Sequence, residues 1–237
     1  MIGAQYEFMP TMLLGPEYNC SSVMPQGQAW ADKYGVKQIP FGVYSLVFGI
    51  ITEILYIPCM IGLGRDLRSS CIKIMFWLAL LDMVAIMANC VLFGVLLLEG
   101  AVFCSNPVMT VGVGIAGYGM WCTASACCLV LALNRLFEML NLSRYFSVSS
   151  QVPTNMQLLF QSTRTNIYIG ICSAYGLFMV LFTRTLQSMF FSPFIQGHNT
   201  DEYVNWPHAV HNMVVALCSC LLYMALCAVL MLKSVWL

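Results

Sequence analysis

The 237-residue chain predicts an all-α fold, a polytopic transmembrane helical bundle, and three observations carry that prediction. Hydrophobic residues make up 60% of the chain and charged residues 8%, against about 25% charged in soluble domains. Five apolar stretches follow one another, and a bilayer core of about 30 Å needs roughly 20 such residues in a helix. Lysine and arginine are also shared unevenly among the segments that join them. The stretches show neither a polar stripe nor the alternation of a barrel strand, so helices are expected.

Residues 1–40 contain Pro10, Pro16, Pro25 and Pro40 and little periodicity, which predicts an extended lid rather than a domain. Met1 to Glu17 lacks a charged start followed by an apolar run and a small-residue cleavage site, so a cleaved signal peptide is not expected. Residues 41–237 hold the bundle. The first span is read from Phe41 to Gly64 with one charge, Glu53, and the second from Ile74 to Leu98 with one charge, Asp82. The third, Pro107 to Leu133, has none. The fourth, Thr165 to Thr183, is fenced by Arg164 and Arg184, and the fifth, Asn212 to Leu232, stops at Lys233. The loop from Asn134 to Arg164 is polar, whereas the loop from Arg184 to His211 carries Phe190, Phe191, Phe194, Tyr203 and Trp206, aromatics suited to a membrane interface or a plug.

Orientation follows from the cations. Arg65, Arg68, Lys73, Arg135, Arg144, Arg164 and Lys233 share one side, and only Lys33, Lys37 and Arg184 lie on the other. The first group marks the cytoplasmic face, so an extracellular N-terminus and a cytoplasmic C-terminus are expected. Asn19-Cys20-Ser21 is a glycosylation acceptor on the outer side, and Asn141-Leu142-Ser143 is a silent match on the inner one. Ten basic and ten acidic residues cancel, which excludes a basic surface for nucleic acid. Most of the twelve cysteines lie in apolar runs, where thiols behave as small hydrophobes; Cys20 and Cys104 lie outside them.

Intramembrane carboxylates are costly, which makes Glu53 and Asp82 functional candidates. Asn89, seven residues after Asp82, would share its helical face, a face able to bind a cation or relay a helix rearrangement. At the inner end of the third span, Arg135 can reach water and pair with Glu138 three residues on. Thr110, Gly114 and Tyr118 recur at i+4 and so share a face that could line a small-molecule pocket, with His211 opposite. His208 and His211 stand at i, i+3 without a clear third ligand, so no metal is expected. No cofactor or catalytic motif is found, so an enzyme is not expected.

Several blocks of residues carry a resemblance: Tyr18-Asn19-Cys20, Leu55-Tyr56-Ile57-Pro58-Cys59, Lys73-Ile74-Met75-Phe76 and Val102-Phe103-Cys104-Ser105. Gly117-Tyr118-Gly119-Met120-Trp121-Cys122 and Leu131-Ala132-Leu133-Asn134-Arg135-Leu136-Phe137-Glu138 complete the set. Over about residues 18 to 232 the chain resembles the nematode serpentine receptor class T family of rhodopsin-like G protein-coupled chemoreceptors. That resemblance implies a seven-helix receptor fold of which five spans are present, a truncated or partial form. It implies a small ligand outside and a heterotrimeric G protein inside, with Asp82 as the second-span acid that couples to activation and Arg135 facing the G protein. Asn134 replaces an expected aspartate, so Glu138 is the substitute partner of Arg135. The second outer loop has no cysteine, so the resemblance leaves Cys20 as the partner of Cys104. A channel or transporter subunit using Glu53 and Asp82 as a polar track is the alternative.

Overall fold

A computed structural model of the chain describes residues 35–101, 107–146, 162–182 and 206–235. These residues form five long helices and, among themselves, no strand: α1 (Ile39–Gly64), α2 (Ser70–Glu99), α3 (Pro107–Phe146), α4 (Ser162–Phe182) and α5 (Trp206–Val235). The stretches Ile39–Gly64, Ser70–Glu99, Gly112–Leu140 and Trp206–Leu232 are each long and apolar enough to cross a membrane. Helix α4, which carries Asn166, Tyr168, Ser173 and Tyr175, is the more polar one and occupies the place of the expected fourth span.

The helices outrun the apolar spans most at three places. α3 continues past Leu133 to Phe146, because Asn134 to Phe146 contains no glycine or proline and carries Leu136, Leu140, Leu142, Arg135, Arg144, Glu138 and Met139, residue types that favour helix in or out of lipid. α2 begins at Ser70 rather than Ile74. α5 begins at Trp206 rather than Asn212, since Pro207 suits a first helical turn. His208 and His211 therefore sit on helix rather than in the preceding loop.

The ends are set by backbone chemistry. Pro40 lies in the first turn of α1, where its missing N–H costs nothing. α2 closes on Gly100, whose φ of 65° is left-handed. The Ala101 N–H reaches the Leu96 carbonyl at 2.9 Å and the Gly100 N–H reaches that of Leu97 at 3.3 Å, a Schellman closure. Within α2, Met87–Leu92 forms a wide π-helical turn.

Packing centres on α3. Helices α2, α4 and α5 all lie against it, and α1 packs on α2. A buried cluster joins Ile74, Leu78 and Leu81 of α2 to Cys127 of α3 and Cys172 of α4. Small residues set the closest approaches, as in membrane bundles generally. A Cβ on Gly42 would lie 2.8 Å from Leu98, and one on Gly94 would lie 2.9 Å from Leu46. Ser45 donates to the Cys90 carbonyl at 3.0 Å across the same seam. A Cβ on Gly176 of α4 would meet the Thr123 hydroxyl and, at 2.8 Å, the Gly119 carbonyl of α3.

Large apolar side chains cover the outside, among them Phe48, Ile51 and Leu55 on α1 and Leu217, Leu221 and Met224 on α5. Patches of that extent are not stable against water. Lipid is the medium that solvates them, and the chain is a multi-pass integral membrane protein.

Candidate functional site

Two polar regions lie between helices at different depths, and a third marks the far end of α3. The first is built where α3, α4 and α5 meet. Tyr118 of α3 is 7% exposed and His211 of α5 is 6% exposed, so both are interior groups. The Tyr175 hydroxyl of α4 lies 2.8 Å from His211 Nδ1. The Tyr118 ring stands 5.3 Å from that of His208, tilted by 60°. Met179 and Cys122 pack beside Tyr118. Gly114 is buried one turn from Tyr118 on the same face.

A short relay fixes the chemistry of the α5 histidines. The Trp121 indole N–H donates to Asn212 Oδ1 at 2.9 Å. Indole nitrogen is a donor only, so the amide oxygen must face it. The Asn212 amide nitrogen then faces His208 Nε2 at 2.9 Å. An amide nitrogen is likewise a donor, so His208 Nε2 accepts and its ring proton resides on Nδ1. His208 is neutral in this arrangement. His211 Nε2, in contrast, is buried and has no hydrogen-bond partner among the described residues.

The second region lies between α1 and α2. Tyr56 donates its hydroxyl to Asp82 at 3.0 Å. Glu53, one turn before Tyr56, has Oε1 buried and without a hydrogen-bond partner among the described residues, as is Asn89 Oδ1. The expectation that Asp82 and Asn89 share a face assumed 3.6 residues per turn. The wide turn at Met87–Leu92 breaks that register, and no hydrogen bond joins the two residues. Asp82 is turned instead to α1.

At the far end of α3, Arg135 and Glu138 form an ion pair at 3.3 Å, with side chains 46% and 45% exposed. The i, i+3 pairing expected of them is present. Asn134 beside them is 1% exposed, and its Oδ1 has no hydrogen-bond partner among the described residues.

The structure thus brings Tyr118, Gly114 and His211 to one inter-helical region and adds Tyr175, His208, Asn212 and Trp121. These four were not placed there from sequence, although His208 and Asn212 stand at i, i+4 on the face that leads to His211. The Thr110 side chain, Asn19, Cys20 and Cys104 lie outside the described residues, and so does the lid through residue 34. Among the described residues, no group of three or more histidine, cysteine, aspartate or glutamate side chains is placed to hold a metal ion.

Comparison with known proteins agrees with this architecture. Residues 4–236 match the family model described as serpentine type 7TM GPCR chemoreceptor Srt. The chain is similar to serpentine receptor class T-55 of Caenorhabditis elegans, at 24% identity over 221 residues that cover 89% of this chain and 56% of the relative. The chain therefore spans about half the length of the curated relative it matches. No solved structure matches.

Proposed function

The chain belongs to the Srt family of serpentine chemoreceptors, and from that premise we propose that it binds a small ligand among α3, α4 and α5 and signals to a heterotrimeric G protein. The observation that carries the reading is the meeting of buried Tyr118 and His211 with half-buried Tyr175, three polar rings from three helices. Buried polar groups at a helix junction are costly in lipid and are kept where they serve a site. The excess of cations near Gly64, Ser70, Arg135 and Arg164 orients that end toward the cytoplasm and the N-terminus outward. The ligand then enters from the outer face, and the Arg135–Glu138 pair lies on the G-protein face, 14 positions along α3 from Trp121. Residues 1–40 serve as the outer segment, where Asn19 is the glycosylation site and Cys20 pairs with Cys104. Asp82, held by Tyr56, reports on the packing of α1 against α2.

Signalling requires a ligand that binds two arrangements of the bundle unequally. The test is nucleotide exchange on co-expressed G protein by the full chain. Arg135→Ala should abolish exchange while ligand-induced thermal stabilisation persists. Exchange that is unchanged in that variant would remove Arg135 from the signalling face. The use of Glu53 and Asp82 as a conduction path draws no support from the family match.

A further inference from the structure

The end of α2 beside Arg135 holds a contact between two sulfurs. Cys71, in the first turn of α2, is 2% exposed. Its thiol donates to the Met75 thioether one turn on, with Sγ 3.7 Å from Sδ. The Arg135 guanidinium of α3 is hydrogen-bonded to the same Cys71 sulfur, while Glu138 takes another of its N–H groups at 3.3 Å. A buried thiol ordinarily packs as a small hydrophobe. This one is engaged on both sides, giving its proton to a second sulfur and accepting from a cation.

Thiolate and thioether are soft donors, and such donors select soft cations. Residues at i, i+4 are neighbours on a helix surface, so α2 alone presents both sulfurs. Metal–sulfur bonds of about 2.3 Å, the length a thiolate makes with zinc, space the sulfurs of a linear site roughly 4.6 Å apart. That is wider than the present 3.7 Å, and the flexible Met75 side chain can make up the difference. Charge then sets the valence, because net charge is costly within a membrane. One thiolate, one monovalent cation and one neutral thioether sum to zero, whereas a divalent ion would leave a positive charge beside Arg135. The geometry points to Cys71 and Met75 as the two ligands of one soft monovalent cation of the copper(I) and silver(I) class. The cation takes the place of the thiol proton: the Cys71 S–H bond breaks, a sulfur–metal bond forms, the proton leaves to water and no electron is transferred. Arg135 then donates to a thiolate instead of a thiol, a charge-assisted bond. The site stands apart from the ligand region among α3, α4 and α5 and does not depend on it.

The chain has twelve cysteines and seventeen methionines, so the test must resolve single residues. The full chain, in lipid nanodiscs and reduced, chloride-free buffer, carries 13C in its methionine methyls and cysteine β-carbons and is titrated with silver(I) nitrate. The Met75 and Cys71 signals, identified by their loss in Met75→Leu and Cys71→Ser, should move together and saturate at one silver concentration. Zinc(II) should leave the Met75 methyl where it is. In Met75→Leu, which keeps the side-chain volume, the Cys71 signal should need at least about tenfold more silver. In Cys71→Ser the Met75 methyl should no longer respond, and Cys59→Ser, on the exposed side of α1, should change neither signal. A Met75 methyl that stays still through saturation overturns the site, as does one that still responds in Cys71→Ser. Movement of the two signals at separate concentrations overturns the shared ligation, and an equal response to zinc overturns the class of cation.

Discussion

The Tyr56 hydroxyl of α1 donates to the Asp82 carboxylate of α2 at 3.0 Å, joining the helix at the rim of the bundle to the helix that packs on its centre. Side-chain hydrogen bonds between membrane helices contribute about 0.6 kcal/mol on average and up to about 1.7. A double-mutant cycle of Tyr56→Phe and Asp82→Asn, read by thermal unfolding in nanodiscs, should give a coupling in that range. A coupling near zero would mean that the pair does not hold α1 in place.

Close helix approach makes a second prediction. Gly176→Val should lower the stability of the bundle by about 1–3 kcal/mol, because the new side chain meets Thr123 and the Gly119 backbone. Gly112→Ala and Gly170→Ala, where an added Cβ meets nothing within 4 Å, should leave the melting temperature almost unchanged. Equal effects at all three positions would contradict the α3–α4 seam.

The Trp121–Asn212–His208 relay predicts a tautomer. Wild-type His208 should show an unprotonated Nε2 in 15N spectra, because the Asn212 amide donates to it. In Asn212→Asp both carboxylate oxygens accept, so the bond survives only if His208 brings the proton, and Nε2 should become protonated. An Nε2 signal that stays bare in the variant would show that Asn212 does not set the tautomer.

The Arg135–Glu138 pair is nearly half exposed on both sides, and such pairs contribute about 0.3–0.5 kcal/mol. Glu138→Gln should therefore barely change unfolding in the dark of any ligand. A large loss of nucleotide exchange with unchanged stability would locate the role of the pair in signalling, whereas a melting point lowered by many degrees would make it structural.

Much of this architecture was legible in the sequence. Uninterrupted apolar runs identified the helices because lipid demands both length and internal hydrogen bonding. The family resemblance noticed in the third span agrees with the match over residues 4–236. Helix ends were less legible, since charge marks where lipid ends while the α3 backbone stays helical through Phe146. The grouping of Tyr118 with His211 could be guessed from faces, but Tyr175 and Trp121 could not. Their partners lie 36 and 91 residues away, and no local pattern encodes which turns of separate helices come to one depth. The wide turn in α2 was also hidden, because Met87–Leu92 contains no glycine or proline to announce it.

That wide turn has a bearing on chain length. A π turn holds one residue more than an α turn over the same arc. Removing a single residue between Met87 and Leu92 would therefore tighten the coil there and leave both flanks aimed as before, with Asp82 toward Tyr56 and Gly94 against Gly42. Deletions elsewhere in α2 would swing one flank away from its neighbour. Relatives that are one position shorter at this site can keep the same two seams.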